Sequence, residues 1–480
     1  MYSFHDFGLY IDGAWGQAAA GATKAVQDPA TEEVVGHIPD ATEADLDRAL
    51  AAAERGFAQW RTVGPWERAA KLRKVAVLLR ERTEPLAAFM SAETGKPVTE
   101  ARGEWAAATD QFEWYAEETK RIYGQTIEGR HADMRLAVIY QPVGVVAAFA
   151  AWNFPALLPA RKIAAALGAG CAIIIKPAGE APGCCMGIVQ ACHDAGIPAG
   201  VVNLVTGNSR LISRYLIGSP IVRKVSVTGS VSVGKEILKL AADGVKKVSM
   251  ELGGHAPVLV FEDADVLKAA ETCANTKFRN CGQVCISPSR FYVHESIYER
   301  FAARFVEVAQ SIKIGRGGDA GVAMGPLASA RSLAHVKELV ADAVGRGAKV
   351  LTGGKPPAGF NRGYFYEPTV LGGVPDEAGI MHEEPFGPVA PLTTFKSFEE
   401  AIVRANGLPF GLAGYLFTSS LRTATLASEA LEVGMVGIND MLLACAEAPF
   451  GGIKESGMGR EGGALGIFDY LEPKYIKTRL

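Results

Sequence analysis

Apolar and polar positions along the 480-residue chain follow two rhythms. Between residues 41 and 120, apolar residues return every three or four positions, the spacing of one buried helix face. The stretch "ATEADLDRALAAAERGFAQW" opens at Thr42 with Glu43 and Asp45 close behind, acids suited to a helix's positive end. "PWERAAKLRKVAVLLRERTEPLAAFMSAETGK" continues the same period. From residue 143 the rhythm changes to short apolar runs: "VGVVAAFA" (143–150), "CAIIIKP" (171–177), "GVVNLVTG" (200–207), "VRKVSVTG" (222–229) and "KKVSMELGG" (246–254). Helical stretches separate them. Apolar strands alternating with helices predict a parallel sheet covered on both faces. Ligands of such sheets bind beyond the strands' carboxyl ends. The residues to inspect are therefore Trp152 and Asn153, Lys176, Gly207, Gly229 and Ser230, and Glu251.

A second α/β region begins near 255 with "APVLVF" (256–261) and "RFYVH" (290–294) and runs to about 455. The segments 123–142 and "YLEPKYIKTRL" alternate like strands but carry no core of their own, which predicts pairing with another subunit.

Composition narrows the classes without choosing among them. A net charge of −3 gives no basic signature for nucleic acid or an anionic membrane. The amino end has no basic segment leading into an apolar stretch, so no signal peptide is expected. The most apolar stretch, 163–175, is too short to span a bilayer. A cytoplasmic protein is the expectation. Eight scattered cysteines without a secretory signal argue against a disulfide framework. Cys281 and Cys285 have no paired histidines or cysteines at metal-ligand spacing, and no metal is expected.

That leaves the chemistry of "FRNCGQVCISPSR" (278–290), where Cys285 reads as a nucleophile or as half of a redox pair. Three other stretches bear on it. "GSVSVGKE" (229–236) nearly makes a phosphate loop, but Glu236 stands where a magnesium-binding hydroxyl belongs. Its strand-to-helix turn still suits a pyrophosphate, with Ser230 as an added donor. In "AWNFPALLPARK" (151–162), Pro155 stiffens the loop and lets Asn153 aim its amide at one place, as a turn former or an oxyanion donor. In "MELGGHAP" (250–257), two glycines free the backbone beside Glu251, a strand terminus or a mobile general base.

Seven motifs in order, "WNFP", "IIIKP", "VTGSVSVGK", "MELGG", "FRNCGQVC", "EEPFGP" and "APFGGIKESGMGREGG", resemble the aldehyde dehydrogenase superfamily over essentially the whole chain. Locally the pattern most resembles its succinate-semialdehyde dehydrogenase subgroup. The resemblance implies an α/β fold with a Rossmann-type parallel-sheet cofactor domain (1–122 and 143–253), an α/β catalytic domain (254–463) and a small β oligomerisation element (123–142 and 464–480). It implies an NAD- or NADP-dependent oxidation of an aldehyde to an acid, in a homodimer or homotetramer. Cys285 would be the nucleophile, and Asn153 with the Cys285 backbone N–H the oxyanion donors. Glu251 would activate the hydrolytic water, and Cys281, one helical turn before the nucleophile, would be a bystander. Lys176 and Glu384 would hold the riboses, Trp152 and the Gly229–Ser230 turn would approach the pyrophosphate, and Phe386 would pack near the nicotinamide. Arg161 and Arg279 would bind a distal carboxylate, for which a planar guanidinium is suited.

Four departures from the family's pattern matter. Ala151 replaces a proline before Trp152. Gly179 stands where NAD-preferring members often carry glutamate, which leaves Lys176 free to pair with the phosphate of NADP and predicts dual cofactor use. Ala444 and Cys445 stand where the subgroup has a carboxylate-touching serine, which admits a longer, bulkier or aromatic aldehyde. Ser287 excludes the subgroup's redox-sensing disulfide. Three rival readings are a CoA-acylating dehydrogenase, a cysteine hydrolase or acyltransferase using His255 or His294, and a silent structural protein on the same fold.

Overall fold

The structure, a computed structural model, describes residues 7–480. Residues 7–40 carry two hairpins, which the sequence pattern does not indicate. β1 (Leu9–Ile11) pairs with β2 (Ala14–Gly16), and β3 (Thr23–Gln27) with β4 (Val34–Pro39). Four helices follow: α1 (Glu43–Trp60), α2 (Pro65–Glu81), α3 (Thr83–Thr94) and α4 (Val98–Glu118). α1 starts where the sequence places it, with the Asp45 carboxylate accepting from the Thr42 N–H at 2.9 Å.

After β5 (Gln125–Glu128) and β6 (Met134–Pro142) comes the parallel sheet: β7 (Val145–Phe149), β8 (Ala172–Lys176), β9 (Val202–Leu204), β10 (Val222–Gly229) and β11 (Lys247–Leu252). α5 (Leu157–Ala169), α6 (Gly183–Asp194), α7 (Ser209–Gly218) and α8 (Val231–Ala242) connect these strands. The sheet order is β2-β1-β9-β8-β7-β10-β11, with Gly457–Met458 antiparallel on β11 at the far edge. Val146, Ala148, Ile173 and Ile175 belong to one core, and Val145, Ala147, Ala172 and Ile174 to another. Alternate residues thus serve opposite faces, which is why these strands are apolar throughout. Each fully buried isoleucine contributes on the order of 1.5–3 kcal/mol.

The second sheet runs Lys349–Thr352, Thr369–Gly372, Val389–Phe395, Pro288–His294, Ala256–Val260, Ala413–Phe417, Met435–Ile438. Only its first pair is antiparallel. The strand Leu471–Arg479 pairs with β6 along its whole length, in a three-stranded sheet whose outer strand is exposed beyond Leu471. One short strand of the range 254–463, Gly457–Met458, therefore belongs to the first sheet, because the chain returns to cover the open edge of β11.

Candidate active site

Strand register brings the chemistry to one end of the first sheet. Phe149 lies level with Lys176 and Val227, and Glu251 is opposite Thr228, so the residues leaving these strands converge. Ser230 caps α8, its hydroxyl accepting from the Val233 N–H at 3.4 Å. Trp152 and Phe386 meet edge to face with ring centroids 5.5 Å apart.

A cleft of about 390 Å³ opens here, with Trp152, Asn153, Gly179, Glu180, Gly207 and Ser209 in its wall. A Cβ on Gly179 would meet nothing within 4 Å, so the wall is open there. Burial holds the Lys176 ammonium down to about 8, with Glu180 opposing and Lys24 adding to the shift. Its protein partner is the Pro177 carbonyl, at 3.0 Å. Lys24, on β3, is a neighbour that the sequence gave no reason to single out. The Glu384 carboxylate lies so close to Gly253 that a Cβ there would be 2.7 Å from Oε2. Burial raises Glu384 to about 8, opposed by the Gly254 N–H, while Glu251 adds to the rise and Lys277 opposes it. An open cleft at the strand ends, a buried ammonium at the end of β8 and a carboxylate beside Gly253 fit a dinucleotide.

The catalytic-side strands bring Cys285 to the same place. α9 (Val266–Phe278) ends at a turn with three successive left-handed residues: Asn280 (φ 49°), Cys281 (φ 56°) and Gly282 (φ 71°). Such a backbone costs a non-glycine residue on the order of 1–3 kcal/mol and is held only by its surroundings. At 282 only glycine fits, because a Cβ would lie 2.1 Å from the Gly387 carbonyl oxygen. Cys281 is therefore not a helical turn from Cys285. It is buried, with its thiol pushed up by burial.

Cys285 is half-buried and Glu251 is 3% exposed. Burial pushes the Cys285 thiol up, Glu251 and Glu384 add to it, and Arg161 opposes. Glu251 is raised to about 7 by burial and then by Glu461, against Arg161 and Lys162. Neither Glu251 oxygen meets hydrogen-bond geometry with a protein donor, and the neighbouring Cys285 thiol, in reach of it, slightly opposes the rise. Behind it, Lys162 Nζ lies 2.5 Å from the Glu461 carboxylate and Arg161 3.9 Å from it. Glu461 sits in the quoted "GREGG" motif, but its partnership with Lys162 spans 299 residues and no local pattern reveals it.

Asn153 is 4% exposed, and its Nδ2 donates to the Gln283 carbonyl at 3.2 Å, two residues before Cys285. Arg161 is 2% exposed, over the Phe450 ring at 4.1 Å. Arg279 caps α9, half-buried, 5.6 Å from the Phe154 ring. The Nε atoms of both arginines are buried without a protein acceptor. Tyr415, whose hydroxyl donates to the Ile286 carbonyl at 2.7 Å, feels both Arg279 and Cys285. The site thus brings together Cys285, Glu251, Glu384 and Arg161, joins Asn153 to the approach to Cys285, and sets Arg279 across Tyr415. Lys176 stands at the end of β8, level with Phe149.

The histidines of the hydrolase reading are committed elsewhere. His255 Nδ1 lies 2.8 Å from Ser289 Oγ and Nε2 3.0 Å from the Ile380 carbonyl, and burial holds it well below its usual range. His294 bonds Ser296 at 2.8 Å.

The sequence pattern of the Aldehyde dehydrogenase family matches residues 15–476. The protein belongs to that family. It is 46% identical over 467 residues to glutarate-semialdehyde dehydrogenase of Pseudomonas putida, covering 97% of this chain and 96% of that one. It is 45% identical over 466 residues to the NADP(+) succinate-semialdehyde dehydrogenase of Escherichia coli K12, covering 97% and 96%. The crystal structure of succinate-semialdehyde dehydrogenase from Burkholderia pseudomallei superposes with a TM-score of 0.97 at 43% identity, covering 99% of this chain and 98% of that one. As an aldehyde dehydrogenase, the chain is an NAD(P)-dependent oxidoreductase of α/β fold. Among the described residues, no helix is long and apolar enough to cross a membrane.

Proposed function

We propose that this aldehyde dehydrogenase oxidises a short aldehyde bearing a distal carboxylate, of the succinate- or glutarate-semialdehyde class, to the dicarboxylate. The observation that carries the reading is the pair of buried guanidinium Nε–H groups, on Arg161 and Arg279, that no protein acceptor uses. A buried donor left unmet costs roughly 1–3 kcal/mol, which a ligand carboxylate relieves. Relatives that take succinate and glutarate semialdehydes support it.

In this reading the Cys285 sulfur adds to the aldehyde carbon as the thiolate, its proton having passed to solvent. The Asn153 amide and the Cys285 backbone N–H donate to the oxyanion. NAD or NADP, when bound, would supply the hydride acceptor for this oxidation. Lys176 and Glu384 would hold its riboses, Trp152 and the Gly229–Ser230 turn its pyrophosphate, and Phe386 its nicotinamide side. Glu251 then takes a proton from the water that attacks the thioester. Residues 1–122 and 143–253 form the cofactor domain and 254–463 the catalytic domain. Residues 123–142 and 464–480 join copies into a homodimer or homotetramer. Eight free cysteines suit a reducing cytoplasm.

Two results test this. Succinate semialdehyde is expected to exceed an uncharged aldehyde of equal length in kcat/KM by about tenfold or more, and Arg279→Ala to erase most of that gap. Equal use by the wild type overturns the anionic reading and leaves a broad-specificity or aromatic enzyme, which the Ala444–Cys445 loop favours. The second is a pH profile. Below about 7 Glu251 is protonated and takes no proton from water, so kcat is expected to rise with pH through about 7. The Glu251→Gln variant is expected to lose that limb.

A further inference from the structure

Behind the oxyanion donors lies a charged cluster that no step above uses. Lys96 and Glu104 are 3% and 5% exposed and in direct contact, and Glu100 is half-buried one turn before Glu104 on α4. Taking a lysine–glutamate pair out of water costs free energy that its attraction often fails to recover, so such a pair is weak evidence of a purely stabilising role.

Its bonds run to the two sources of oxyanion donors. Lys96 Nζ donates to the Asn153 carbonyl at 3.0 Å and sits over the Phe154 ring at 4.3 Å. Glu104 Oε1 accepts from the N–H groups of Ala156 and Leu157 at 2.8 and 3.2 Å, anchoring the other end of the same loop. Glu100 Oε2 accepts from the Asn280 N–H at 2.9 Å, at the first left-handed residue of the turn before Cys285. The Asn280 amide closes the figure, donating to the Asn153 carbonyl at 3.0 Å and the Gln283 carbonyl at 3.1 Å.

We propose that Lys96, Glu100 and Glu104 are positioning residues: one buttress from α4 and the residue pair before it holds the Asn153 loop and the Asn280–Gly282 turn at a fixed separation. It thereby sets the Asn153 amide against the Cys285 backbone N–H. The inference rests on the oxyanion role proposed above for those two donors. Misplacing a donor by about 1 Å, even from a distance, can cost about 100-fold in rate.

The test is a double-mutant cycle of Lys96→Met and Asn153→Ala, read in the hydride-transfer burst at 340 nm. Lys96→Met is expected to slow the burst about tenfold or more. KM for the aldehyde and Kd for NADPH are expected to stay within about twofold, since none of Lys96, Glu100 and Glu104 lines the cleft. Alkylation of Cys285 by iodoacetamide, which forms no oxyanion, is expected to keep its rate. In the Asn153→Ala background, Lys96→Met is expected to add less than about twofold, because the two act as a unit. Losses that multiply in the double variant overturn the buttress while leaving the oxyanion role intact. An undiminished burst in Asn153→Ala alone overturns the oxyanion role instead. Should Lys96→Met not fold, Glu104→Gln keeps an acceptor for Ala156 and Leu157 but removes the charge facing Lys96, and the same cycle decides.

Discussion

In the Cys285→Ala variant, oxidation of every aldehyde is expected to fall on the order of 10⁴-fold or more, with NADPH still bound at its wild-type Kd. The two thiols nearest in sequence are not placed to replace it. Cys281 is buried in the strained turn, and Cys273 lies inside the catalytic core with its thiol raised by burial. The loss is expected to be chemical rather than structural, since a half-buried sulfhydryl gives way to a methyl group in the same direction. Absorbance at 340 nm with fluorescence titration of NADPH checks it. Residual turnover above about 1% of wild type would move the nucleophile elsewhere.

The second large effect separates the two halves of the reaction. Glu251→Gln is expected to lower steady-state turnover about 10²–10⁴-fold, the usual contribution of a general base. A single burst of reduced cofactor at pH 9 is expected to survive, with a thioester on Cys285 detectable by mass spectrometry. Glutamine fills the same buried space but takes no proton from water. It also removes the anion that most opposes thiolate formation after burial itself, so ionisation of Cys285 becomes easier. Loss of the burst together with the turnover would assign Glu251 to the first half-reaction. Transfer of the acyl group to added CoA at the wild-type rate would instead favour the acylating rival.

Much of this architecture is legible in order of residues alone. β7, β8, β10 and β11 follow the apolar runs to within about two residues: β7 and β8 because strands buried on both faces are almost wholly apolar, β10 and β11 despite the buried Lys224, Ser226 and Ser249. The motifs around Asn153, Glu251 and Cys285 stand at strand and helix ends, where local signals are strongest. The turn at Asn280 and Cys281 is not legible: asparagine tolerates a left-handed backbone, but nothing in cysteine announces one, and an isolated Asn is as compatible with a helix end. Nor are Lys96 with Asn153 or Lys162 with Glu461, which are 57 and 299 residues apart. β1 and β2 escape because they have three residues each, below the length at which alternation can be recognised.

The pairing of Gly457–Met458 with β11 has a consequence for the order in which the chain can fold. β11 is complete by residue 252, yet its outer edge stays uncovered until some 200 further residues have left the ribosome. Throughout that interval an edge is open to pairing with a neighbouring chain. Gly457 is where the late arrival must fit: with φ at 128°, a Cβ would stand 1.9 Å from the Met250 carbonyl oxygen. Chains stalled or truncated before that glycine are expected to aggregate through the β11 edge even when every residue named in the chemistry has already been made.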